Sequence, residues 1–99
     1  MFFKKGHYYT LKKNHPIFQS SRNQILFSFL TEKGNEQFWN LHMIEGFRKH
    51  PTQKIISVTK CDDKRYSIIF ENVHSTNSYF YFEEEFEKKN SLKNLLKFR

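Results

Sequence analysis

At 99 residues, with a formal charge of +7 and one cysteine, the chain is the size of a single domain, residues 1–99, that can bury one modest core. Cys61 stands alone, so no internal disulfide can form, and three glycines cannot build a glycine-rich phosphate loop. The longest apolar run, Ile25 to Leu30, is broken by Ser28 and is too short to cross a bilayer; Met1-Phe2-Phe3-Lys4-Lys5 leads into Gly6-His7-Tyr8-Tyr9, not into a leader's apolar stretch. The expectation is an intracellular, cytoplasmic protein without a transmembrane segment.

Phe2 to Lys13 reads as one or two short strands around Gly6, with Tyr8 and Thr10 on one side and Tyr9 and Leu11 on the other. Asn14-His15-Pro16 is a turn, because the residue before proline is pushed out of the α region. A polar loop over Gln19–Asn23 leads into Gln24–Leu30, the most hydrophobic piece and the expected central strand. Thr31 to Pro51 has two readings. In the preferred one, Gly34-Asn35 opens a helix that Pro51 stops, with Trp39, Met43 and Phe47 in an i, i+4 row and Ile44 beside it. In the other, Lys33-Gly34-Asn35-Glu36 is a hairpin turn and Gln37 to Met43 is a strand.

Lys54–Lys60 is a short β-branched strand that enters a turn at Asp62-Asp63, and Tyr66, Ile68 and Phe70 continue it at period two, which makes a hairpin. Asn72 to Ser78 is polar and forms the next loop, and the aromatic run Tyr79–Phe82 is a third strand. From Glu83 the period changes to that of a helix, with Phe82, Phe86, Leu92 and Leu96 in one arc. Acid at its start (Glu83, Glu84, Glu85, Glu87) and base at its end (Lys88, Lys89, Lys93, Lys97, Arg99) suit a helix dipole.

The helical reading of 31–51 gives the order β-β-α-β-β-β-α. That is an α+β fold, a mostly antiparallel sheet with a central helix and a C-terminal helix. The hairpin reading gives roughly seven strands and a C-terminal helix. That order is similar to a pleckstrin-homology-like β-barrel, in element order alone.

Alanine is absent while phenylalanine occurs twelve times, beside many Lys, Asn and Ile. These are residues of AT-rich codons, which points to a phage, a virus or another AT-rich genome and makes codon pressure one source of the lysines. The charge is uneven: residues 1–22 carry +5, residues 23–82 carry +1 and residues 83–99 carry +1. An acid-free opening favours a polyanionic partner: nucleic acid first, then an acidic protein or an anionic, phosphoinositide-bearing membrane. The candidate contacts are Lys4, Lys5, His7, Tyr8, Lys12, Lys13 and Arg22. The plainer reading is a solvated edge strand whose lysines discourage aggregation. Thirteen lysines against four arginines favour backbone-directed, weakly sequence-specific contact, since lysine lacks bidentate geometry.

A second candidate surface is aromatic. Tyr66, Tyr79 and Tyr81 displayed on a sheet would suit a protein partner, an inhibitory target or a homodimer, while the rival reading packs these rings in the core. The five histidines show no metal-ligand spacing, and no metal or cofactor is expected. Asp62-Asp63 is explained as turn chemistry, and Cys61, though near Lys60, Lys64 and Arg65, has no histidine beside it. A non-enzymatic binding protein is therefore expected, with a small His-Lys-Tyr ribonuclease as the enzymatic alternative.

Overall fold

The computed structural model describes residues 1–20, 24–74 and 79–89. Seven strands and one α-helix follow in order: β1 (Tyr8–Leu11), β2 (Leu26–Leu30), β3 (Glu36–Asn40), α1 (Leu41–Lys49), β4 (Thr52–Lys60), β5 (Arg65–Phe70), β6 (Phe80–Phe82) and β7 (Phe86–Lys89). Short 3₁₀ turns at Pro16–Gln19 and Glu83–Glu85 complete them. Every strand pairing is antiparallel, and the fold is α+β.

Five strands form one sheet in the order β6-β5-β4-β1-β7, and β2 and β3 form a separate two-stranded ribbon. The two edges of the five-stranded sheet are joined by Glu83–Glu85 alone. Five flat strands would set those edges roughly 19 Å apart, at ~4.8 Å per strand. A 3₁₀ turn of this length covers only about 8 Å. The sheet therefore curls until its edges approach.

The concave side of the curl holds the core. Tyr9, Leu11, Ile55, Tyr66, Ile68, Phe70, Tyr81 and Phe86 are buried there against Phe3, Trp39 and the Met43, Ile44 and Phe47 face of α1. Phe47 meets Phe70 edge-on at 5.0 Å and Phe86 at 5.6 Å. Such ring pairs add about 0.5–1.5 kcal/mol each beyond the area they bury. The helix starts at Leu41 because the Asn40 side chain accepts the Met43 N–H at 3.0 Å, and Arg48 and Lys49 occupy its last turn, where the dipole favours cations.

The hairpin of β4 and β5 and the strand at 80–82 follow the sequence pattern. Residues 31–51 combine the two readings: Thr31–Asn35 turns a hairpin, Glu36–Asn40 is a strand, and a helix follows from Leu41. Trp39, expected in the helical row, therefore lies on a strand. Gln24–Leu30 is not a central strand. Its residues 26–30 form one half of the ribbon, where Phe27 and Phe29 pack on the core while Leu26 and Leu30 stay 52% and 63% exposed.

The helix expected from Glu83 is absent over residues 83–89, which make a 3₁₀ turn and then pair with β1; its remainder, residues 90–99, lies outside the described residues. Two tertiary demands outweigh the charge pattern. β1 takes β7 as its second partner, and Glu85 is drawn into a buried cluster of donors.

Candidate nucleic-acid interface

Two places gather chemistry. The first is the join where the curled sheet meets the ribbon. Glu85 is only 2% exposed, and its Oε1 accepts from His15 Nε2 at 2.8 Å and Trp39 Nε1 at 3.1 Å. Its Oε2 accepts from Gln37 Nε2 at 2.9 Å and the Phe82 N–H at 2.9 Å. Four donors fill the four lone-pair sites of a carboxylate. His15 Nδ1 accepts the Ile17 N–H at 3.2 Å, which leaves the proton on Nε2 and assigns the tautomer by its partners.

A cavity of about 140 Å³ adjoins this cluster, lined by Lys12, Phe29 and Glu84 among others. Neither His15 nitrogen nor any Glu85 lone pair remains to act on a molecule placed there. Glu84 Oε2 likewise receives the Thr31 hydroxyl at 2.6 Å and Asn35 Nδ2 at 2.7 Å. Burial works to raise the Glu84 pKa, but these two hydrogen bonds, a backbone hydrogen bond from Glu84 itself and the Lys33 charge together leave the carboxyl below its ordinary value. The join is built for cohesion.

The second place is the convex face of the sheet. Directly opposed residues of an antiparallel pair share a face. Tyr8 is opposed by Lys54 on β4 and by Lys89 on β7, and Thr10 is opposed by Thr52 and Glu87. Their neighbours Tyr9 and Leu11 point into the core, so this row faces outward. Among the described residues, neither Lys54 nor Lys89 forms an ion pair; Glu71 is near, its Oε1 accepting the Lys54 backbone N–H at 3.2 Å.

Lys4, Lys5 and His7 sit in a turn before Tyr8 that reverses at Gly6, whose φ of 83° is the left-handed region suited to glycine. Backbone bonds from Gly6 N–H to Ile55 O at 2.8 Å and from Ile55 N–H to His7 O at 3.0 Å hold that turn beside β4. Tyr9 anchors the preceding segment, since its buried hydroxyl donates to Phe2 O at 2.7 Å and accepts the Lys4 N–H at 2.7 Å. Burial raises the pKa of that hydroxyl.

The structure divides the basic residues anticipated from sequence. Lys4, Lys5, His7 and Tyr8 lie together at one end of β1. Lys12 and Lys13 lie beyond the other end, and Lys12 is matched within the protein by Glu32 at 2.9 Å. Arg22 lies outside the described residues. Lys54 and Lys89 were missed: only strand register brings them beside Tyr8.

The aromatic candidates change role. Tyr66 and Tyr81 are buried in the core and offer no partner surface, while Tyr79 is half-buried beside the His42 ring at 5.9 Å. Tyr81 points inward because the 80–82 strand places Tyr81, rather than Phe80, opposite the inward-facing Tyr66. Among the described residues, no group of three or more His, Cys, Asp or Glu is placed to hold a metal ion, and no helix is long and apolar enough to cross a membrane. The chain matches no protein-family model, and neither a curated protein nor a solved structure matches it.

Proposed function

We propose that this is a small, non-enzymatic binding protein that contacts the sugar-phosphate backbone of nucleic acid through the convex sheet face around Tyr8. The observation that carries the reading is the row Lys89-Tyr8-Lys54, with Lys4 and Lys5 in the adjoining turn. Free ammonium groups neutralise phosphates and release counterions, which gives sequence-tolerant, salt-sensitive affinity. Glu71 and Glu87 border the row and keep that affinity moderate.

The test is binding to DNA and RNA oligonucleotides across roughly 50–200 mM salt, with Lys54→Gln, Lys89→Gln and Lys4→Gln/Lys5→Gln variants. Each lost phosphate contact is expected to lower the slope of log K against log salt by about 0.7 on single strands and about 0.9 on duplex. Lys12→Gln is expected to matter least, because Glu32 already occupies it. Affinity no greater than that of an unrelated protein of equal charge overturns the proposal.

A second reading, self-association, rests on the ribbon. Its outward face carries Leu26, Leu30 and Phe38, the last also 63% exposed, with Glu36 as its one charged residue. On a chain of net charge +7, a cation-free apolar face is where a second copy approaches with least repulsion. Sedimentation over a series of protein concentrations reaching the micromolar range, the weak end for interfaces of ordinary size, tests it. A monomer for both the parent and Leu30→Asp rejects the dimer.

A further inference from the structure

The convex face carries more than cations. At the bulge in β4 between Ile55 and Ser57, Ile55 stays inward while both Ile56 and Ser57 face solvent. Ile56 is 43% exposed, Ile69 on β5 is 37% and Phe80 on β6 is 36%, on a face where an ordinary solvated sheet would present polar side chains. Arg65 lies over the Phe80 ring at 5.3 Å while pairing with Asp62 at 2.8 Å. Beyond Phe80 the strip opens into a groove of about 360 Å³ between β6 and the ribbon, lined by Phe38, Phe80 and Arg65 among others. From Tyr8 to Phe80 the strip runs roughly 20 Å, at ~4.8 Å per strand and ~3.3 Å per residue.

We infer that this strip takes single-stranded nucleic acid in preference to duplex, with unpaired bases laid against Tyr8, Ile69 and Phe80 and one lodged between Phe38 and Phe80. The inference rests on the nucleic-acid reading above and names the form of ligand. Shape and surface chemistry both favour it. A duplex is stiff over about 150 base pairs and keeps its base faces stacked, so it meets a convex surface along one line and offers nothing to an apolar strip. A single strand bends around the curl and exposes base faces to exposed rings, with Arg65 adding a stacking guanidinium. The cations suit this too. They stand at both ends of the strip, with Lys4, Lys5, Lys54 and Lys89 around Tyr8 and Arg65 over Phe80, where they can meet the phosphates of a strand that follows it.

The test uses the full chain and fluorescein-labelled oligo-dT and oligo-U of about 12 nucleotides, a length within the usual single-strand site range, beside a mixed duplex of equal length, all followed by anisotropy at one salt concentration. Either single strand is expected to bind at least tenfold more tightly than the duplex. Phe80→Ser and Phe38→Ser are expected to cost each single strand roughly five- to tenfold and the duplex nothing, as loss of one stacking ring does. Lys54→Gln/Lys89→Gln is expected to weaken both forms alike.

Should duplex bind as tightly as single strands, with the lysine variant still weakening both, the strip inference fails and the broader reading survives. Should no oligonucleotide bind better than to an unrelated protein of equal charge, both fail. Binding to phosphatidylserine-containing vesicles that Phe80→Ser abolishes, without oligonucleotide binding, assigns the strip to a membrane and overturns the inference. The comparison of strands with duplex needs no variant, and Ile69→Thr, at an exposed strand position, replaces either Phe variant that fails to fold.

Discussion

The join around Glu85 and the convex face around Tyr8 use charge in opposite ways. At the join every acceptor of a buried carboxylate is filled from three parts of the chain: His15, Gln37 with Trp39 on β3, and Phe82. On the face, Lys54 and Lys89 flank a tyrosine and meet no carboxylate side chain at ion-pair distance among the described residues. A charge that is saturated inside holds the protein together, whereas one left open outside is available to a ligand. Lys12 and Lys4, eight residues apart in one basic stretch, differ in a related way: Lys12 is paired at the surface with Glu32, whereas Lys4 forms no ion pair among the described residues.

The largest expected effect breaks the join. Glu85→Gln turns one acceptor into a donor facing other donors, and is expected to lower unfolding free energy by about 3–5 kcal/mol, as removing one partner of a buried charged network does. Urea titration with an unchanged slope reads this directly. By contrast, Lys54→Gln is expected to stay within about 0.5 kcal/mol while weakening nucleic-acid binding. A join variant costing less than the surface one would erase the distinction.

Gly46→Ala comes next. Alanine normally stabilises a helix interior by about 1 kcal/mol over glycine. Here an added Cβ would overlap the Val73 side chain and crowd Asn72 O at 3.0 Å, so a net loss of about 1–3 kcal/mol is expected in thermal unfolding. Tyr81→Phe sharpens the comparison from the other side. The Tyr81 hydroxyl is buried without a hydrogen-bond partner among the described residues, and burial pushes its pKa well above the ordinary value. Removing it is expected to stabilise by up to about 1 kcal/mol and to leave every binding constant unchanged.

The smallest effect is at the β4–β5 turn. Asp62 accepts the Lys64 and Arg65 N–H groups and the Arg65 guanidinium, which hold its pKa at about 2, below the ordinary 3.8. A depressed folded-state pKa contributes stability that is complete above the unfolded value, so this contribution fades as pH falls from about 4 to about 2. Carboxyl-carbon NMR should place the Asp62 midpoint near 2, and Asp62→Asn should remove that part of the acid dependence.

Local pattern carried far into this fold. The alternation in Tyr66, Ile68 and Phe70, the Asp62 turn and the Met43–Phe47 row each state their structure within a few residues. What stayed hidden depends on separation. Glu83, Glu84 and Glu85 read as a helix start because nothing local reveals that His15, seventy positions earlier, donates to Glu85. Tyr81 and Phe80 are indistinguishable until the register with Tyr66 decides which points inward. The cationic row has the same origin: Tyr8 was legible as basic-flanked through Lys4 and Lys5, but Lys54 and Lys89 arrive only through pairing. A triplet of acids after an aromatic strand, with the His15-Pro16 turn far upstream, is the one faint signal that could have suggested the join.

The order of the curled sheet also bears on how the protein is made. Its opening strand lies between β4 and β7, and Tyr8 meets its last partner only at Lys89. On the ribosome that strand must wait, one side bare, until nearly all of the described chain has emerged. Such late, distant pairing slows folding and leaves an adhesive edge exposed meanwhile. Lysines before and after β1 are the kind of residue that discourages such an edge from pairing with another chain.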